Sequence, residues 1–223
     1  MGGLFSNPEE LSNVYIFNKI NNNEKDVELL CGTFESLKCV VKVIKVQDKT
    51  YDQLKYEVKN IVKGDFTEFE YIVIIILDNE NEDEYIWITK DKKIFHINGD
   101  LMTAICANKS LERKFRFFIL QTNRVFAEDI KRRTIKNQKC YFGNDLKFYA
   151  TSTGCILNHQ WTSGSPSPFI KYLCEGINQN IMLPKEDQLP IDKLLDEVVC
   201  PQITEDSPSR TRLREPFILR SAK

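Results

Sequence analysis

Apolar and polar positions along this chain alternate between two periods. Residues 14–17 (Val-Tyr-Ile-Phe) form a short apolar run that predicts a strand, and residues 18–26 are a polar loop. Across residues 27–37, Val27, Leu30, Phe34 and Leu37 recur at helical spacing. Residues 40–46 are rich in β-branched types and predict a strand. Residues 51–62 return to the helical period, with Leu54, Val58 and Ile61 on one face. Residues 71–77 (Tyr-Ile-Val-Ile-Ile-Ile-Leu) are apolar without interruption. That run is far short of the roughly 20 residues of a membrane span, so it reads as a strand buried on both faces.

An acidic turn, residues 78–84, leads into Tyr-Ile-Trp-Ile (85–88) and Lys-Ile-Phe (93–95), the two arms of a small hairpin. Residues 97–106 predict a third helix, and residues 115–120 another buried strand. Residues 128–139 hold five Lys or Arg against two acids and no apolar period, the pattern of an exposed connection. Beyond it, residues 146–150 predict a strand. Residues 162–168 form a Ser/Gly/Pro-rich loop, and residues 169–177 and 190–199 predict helices. Residues 217–219 (Phe-Ile-Leu) read as a last short strand. Strand and helix in alternation, with crossovers of this length, imply an α/β fold with a mostly parallel sheet flanked on both faces by helices.

Composition narrows the function classes. The 223 residues carry 31 Lys and Arg against 32 Asp and Glu, a formal charge of −1. Such a balance excludes bulk electrostatic attraction to nucleic acid or to an anionic membrane. The seven cysteines (Cys31, Cys39, Cys106, Cys140, Cys155, Cys174 and Cys200) are odd in number and form no CxxC pair. They are expected to be reduced thiols, in keeping with a cytoplasmic protein. With only His96 and His159, ligand spacing for zinc is lacking, and neither metal nor cofactor is expected. The N-terminus Met-Gly-Gly-Leu-Phe-Ser fits the acylation pattern for Gly2. A single acyl chain without a polybasic neighbour does not anchor stably.

Several strings, in order, resemble the caspase family of cysteine proteases, and the likeness runs from about residue 13 to residue 221. Gly32-Thr-Phe-Glu-Ser-Leu37 is similar to that family's first large-subunit helix. Residues 148–153 through 168–174 resemble the start of the small subunit, and Pro216-Phe-Ile-Leu219 falls where caspases carry a final strand after proline. Within the family the likeness is to insect-type homologues. The resemblance implies a six-stranded caspase-like sheet within one compact domain. Residues 13–122 are then large-subunit-like, 123–144 an intersubunit linker and 145–223 small-subunit-like. No caspase recruitment or death-effector domain is expected before Val14.

The catalytic strings depart from the family. Its nucleophile lies in Gln-Ala-Cys-[Arg/Gln/Gly]-Gly, about 50 residues beyond the base His. Here the string is Gln121-Thr-Asn-Arg-Val125, with Asn123 at the cysteine position. Where His-Gly should follow the earlier buried strand, the chain reads Asp78-Asn79, and 123 − 78 = 45 agrees with the family spacing. A carboxamide is no substitute for a thiolate, and an ionised aspartate cannot protonate a leaving amine. The arginines with which caspases clamp a substrate aspartate are also missing, both near Ile20-Asn-Asn-Asn23 and near Gln160-Trp161-Thr162. Gln121 and Trp161 are left as a vestigial pocket.

The expectation is therefore a pseudoenzyme whose degenerate catalytic positions are Asp78 and Asn123. The family's two-fold pairing through the last strand implies an interface over Glu215, Pro216, Phe217, Ile218, Leu219 and Arg220. The expected partner is an active paralogous caspase, or a second copy of the chain; the expected role is to regulate apoptosis by enhancing that caspase's activity, the alternative being an inhibitory decoy that traps a caspase or a caspase inhibitor. Cys155 and His159 form the only local Cys/His pair and are the residues a residual protease would use. Asp129 and Asp145 are the acids after which a caspase could cut the linker. Their surroundings match a processing site poorly, so an intact linker is expected.

Overall fold

The computed structural model describes residues 12–78, 86–122, 145–150, 164–203, 209–210 and 216–219. Asn123, Trp161, Glu215, Arg220, Cys155, His159, Asp129, Gly2 and the linker lie outside the described residues.

Among the described residues, eight strands and five α-helices occur, in the predicted order as far as α5. They are β1 (Ser12–Asn18), α1 (Glu24–Ser36), β2 (Cys39–Lys45), α2 (Tyr51–Val62), β3 (Tyr71–Leu77) and the hairpin β4 (Ile86–Ile88) and β5 (Ile94–His96). Then come α3 (Ala104–Cys106), β6 (Phe115–Gln121), β7 (Asp145–Tyr149), α4 (Pro168–Met182), α5 (Ile191–Leu194) and β8 (Ser209–Arg210). The main sheet runs β2-β1-β3-β6-β7-β8, parallel except for β8.

β3 explains the two-layered core. Its seven side chains are all buried, and the pleat sends alternate residues to opposite faces. Tyr71, Val73, Ile75 and Leu77 join α1, α4 and α5 in one cluster. Ile72, Ile74 and Ile76 join α2, the hairpin and Leu101 in the other. Each such fully buried aliphatic or aromatic side chain contributes roughly 1.5–3 kcal/mol.

The helices start and stop where local chemistry directs. Thr50 and Gln53 close a capping box on α2: Gln53 N–H donates to Thr50 Oγ1, and Thr50 N–H donates to Gln53 Oε1. Leu54, Val58 and Ile61 then face the core, one per turn. The third predicted helix begins as a wide π turn, Ile97–Thr103, and tightens into α3. α5 likewise continues as a π turn, Leu195–Val199. That stretch presses against α4 at Gly176, where a Cβ would lie 2.8 Å from Val199 Cγ2.

One predicted element is corrected. Pro216, Phe217, Ile218 and Leu219 form no strand; the sixth strand is β8, paired antiparallel to β7 through Tyr149↔Ser209 and Phe148↔Arg210. The reason lies in packing. The Phe217 ring stacks on Phe115 with centroids 4.1 Å apart and meets Tyr71 edge-on at 5.6 Å. Its carbonyl accepts from Ile191 N–H at 2.6 Å, and Leu219 is buried. The segment closes the amino-terminal end of the sheet instead of extending its edge.

Candidate functional site

In an open α/β sheet, ligands sit outside the carboxyl ends of the strands, where the strand order reverses direction. Here β1 feeds β2 on one side and β3 on the other, so the reversal lies between β1 and β3. Asn18 and Lys19 end β1 there, and Asp78 follows β3. The Lys19 backbone N–H donates to Leu77 O at 2.9 Å, and Asp78 N–H donates to Gln121 O at 2.9 Å. The strand ladder thus runs past the last residues of β1 and β3. Lys19 Nζ lies 3.8 Å from Asp78 Oδ1, and both side chains are almost wholly buried, at 6% and 3% exposure. Two opposite charges removed together from water hold each other in place, because losing either would strand the other.

The loop entering α1 is braced beside this pair. The Asn18 and Asn23 amides exchange hydrogen bonds at 2.8 and 3.0 Å, and Asn18 Oδ1 also accepts from Ile20 N–H. Asn22 takes a positive φ of 59°, a conformation asparagine tolerates better than most residues.

A second chain of polar contacts joins α1, β6 and α4. Ser167 caps α4, accepting from Ile170 N–H with Pro168 in the first turn. Ser167 Oγ also accepts from Gln121 Nε2 at 2.8 Å, and Ser167 N–H donates to Asp26 Oδ1 at 2.6 Å. Asp26, Gln121 and Ser167 are all buried. Gln121 Oε1 has no hydrogen-bond partner among the described residues. Gln121 is a buried tie between β6 and α4, at the same end of the sheet as Asp78.

Sequence reasoning missed Lys19, Asp26 and Ser167. Ser-Pro before an apolar run is a legible N-cap signal, and a first-turn acid such as Asp26 is common enough to say little alone. Nothing in the pattern marks Lys19 as a buried lysine.

Three of the five described thiols are held toward their neutral form. Burial pushes the Cys39 thiol up to about 11, against a hydrogen bond with the Tyr71 hydroxyl at 3.2 Å. Burial also pushes Cys174 up to about 12, and Cys31 is raised by burial and by Glu35. Cys39 opens β2, at the opposite end of the sheet from Asp78. Among the described residues, no group of three or more His, Cys, Asp or Glu stands ready for a metal ion. No helix among them is long and apolar enough to cross a membrane.

Asp145, the described acid of the two linker positions, lies within β7. Its Oδ1 accepts from the Nε of Arg116, a fully buried side chain that also donates to Leu111 O at 2.6 Å. Burial raises the Asp145 carboxyl while Arg116 opposes it.

Comparison with known proteins agrees with this architecture. The caspase domain of peptidase family C14 matches residues 12–199, and the chain belongs to the caspase family. The crystal structure of caspase-1 from Spodoptera frugiperda is similar with a TM-score of 0.72. Sequence identity is 13%, and the match covers 96% of this chain and 91% of that one. A comparison with curated proteins finds no match.

Proposed function

We propose that this chain is a non-catalytic caspase homologue that regulates an active paralogous caspase by pairing with it. The observation that carries the reading is the buried Lys19–Asp78 pair at the sheet's reversal point, where the family's imidazole is expected. An ionised carboxylate can accept a proton but has none to give a leaving amine. The sequence adds Asn123 at the thiol position, two residues beyond Gln121. In subtilisin, loss of the nucleophile alone costs about 10⁶ in turnover.

Pairing needs only a surface resembling the partner's own. With Pro216–Leu219 outside the sheet, the last strand on this side among the described residues is β8 rather than the expected final strand. A silent protomer that binds the competent conformation of its partner better than the idle one raises that partner's activity. The reverse preference makes it an inhibitory decoy, which would trap the partner or absorb an inhibitor.

The test is to titrate the purified chain into active caspases of the same organism while following an aspartyl peptide substrate and co-elution. Raised turnover with co-elution supports activation, and lowered turnover with co-elution supports the decoy. Unchanged turnover without co-elution rejects both. Hydrolysis by the chain alone, abolished by Cys155→Ala, would instead establish a residual protease.

A further inference from the structure

Among the described residues, β2 ends the sheet on its side and pairs only with β1. Along its seven residues, the backbone groups turned away from β1 meet no strand among the described residues. A margin of that length is a template for another strand, and proteins blunt such margins with charge, proline or bulges. This one is straight in register from Cys39 to Lys45 and contains no proline.

Its side chains are of two kinds. Val40 and Val43 are 41% and 38% exposed. Lys38, Lys42 and Lys45 are exposed as well, and no carboxylate occurs between Lys38 and Lys45. Glu57 of α2 is shared between Lys42 at 2.8 Å and Lys49 at 3.0 Å. One carboxylate between two ammonium groups leaves the margin net positive.

We propose that the free margin of β2 receives an extended acidic segment of a partner protein as an added strand. Backbone hydrogen bonds hold the segment, Val40 and Val43 supply apolar contact, and Lys38, Lys42 and Lys45 select its sign. A second copy of this chain is a poor occupant, since two β2 margins placed side by side would gather six lysines against two Glu57 carboxylates. The opposing view, that the lysines merely keep strands away, leaves the exposed valines without a role and predicts no binding.

The experiment uses the full chain and fluorescein-labelled peptides of alternating Glu and Val, followed by fluorescence anisotropy. Controls are the Lys-for-Glu peptide and an acidic peptide N-methylated at alternate residues, which cannot complete a backbone ladder. The acidic peptide is expected to bind saturably, and severalfold less tightly when salt is raised, since screening reaches within roughly 10 Å at 0.1 M. Lys45→Glu is expected to weaken it severalfold, and Val40→Asp with Val43→Asp to abolish it, with unchanged circular dichroism. Absence of binding to the natural chain overturns the proposal. So do equal binding of the Lys peptide, binding of the N-methylated peptide, and a concentration-dependent dimer lost in Lys45→Glu.

Discussion

Asp26 ties together three elements that are far apart in sequence. It stands in the first turn of α1, yet its carboxylate accepts from Ser167 N–H, 141 positions away. Ser167 in turn holds Gln121. An alanine at position 26 would leave the Ser167 N–H buried without this acceptor, at about 1–3 kcal/mol. It would also remove a first-turn negative charge, about 0.3–1 kcal/mol. Asp26→Ala is therefore expected to lower stability by about 2 kcal/mol, a fall in Tm of roughly 4–8 °C for a chain of this size. Asp26→Asn keeps an oxygen acceptor and should recover more than half of that loss in differential scanning calorimetry. A fall no larger than that of an exposed first-turn acid, such as Glu24→Ala, would show that the bridge to Ser167 contributes little.

Among whole elements, Phe217 offers the clearest contrast between a strand and a packed tail. In a sheet margin its ring would add little to the strands' amino-terminal ends; here it stacks on Phe115 and touches Tyr71. Removing it from this half-buried place is expected to cost about 1–3 kcal/mol, below the 3–5 kcal/mol of a fully buried phenylalanine. Urea unfolding of Phe217→Ala, with the slope unchanged and the midpoint lowered, is the measurement, and an unmoved midpoint would refute the packing role.

The same element marks the limit of what the sequence made legible. Strands with unbroken apolar runs, β3 and β6, and helices with a strict face, such as α2, were readable because one period dominates their burial. A three-residue apolar run carries no period, so Phe-Ile-Leu reads equally as strand or plug. Ser209–Arg210 pairs by position alone, without β-branched or aromatic side chains. Asp78 was legible from its place after β3, whereas its buried partner Lys19 depends on a fold-level encounter between β1 and β3 that no local pattern encodes.

Across the whole molecule, β3 divides its side chains between both cores, so neither can dissolve without exposing the other's central strand. Ile75 belongs to the cluster under α1 and α4, and Ile74 to the cluster under α2 and the hairpin. Trp87 reports on the second cluster alone, fully buried and stacked on Phe95 with centroids 5.6 Å apart. In a Trp161→Phe background it is the only indole left of the chain's two. If the cores melt together, Ile75→Ala, placed across the sheet from Trp87, must shift the Trp87 fluorescence transition. A truncation of this kind costs about 2–5 kcal/mol, and the same midpoint shift should appear in far-ultraviolet circular dichroism. Coincident curves from both probes are the signature of one cooperative unit. An indole transition that stays in place while the dichroism transition moves would instead divide the molecule at its sheet. β7 would then be shared between the halves, because it sends Leu146 and Phe148 to the α1–α4 layer and Tyr149 to the layer of α2 and the hairpin.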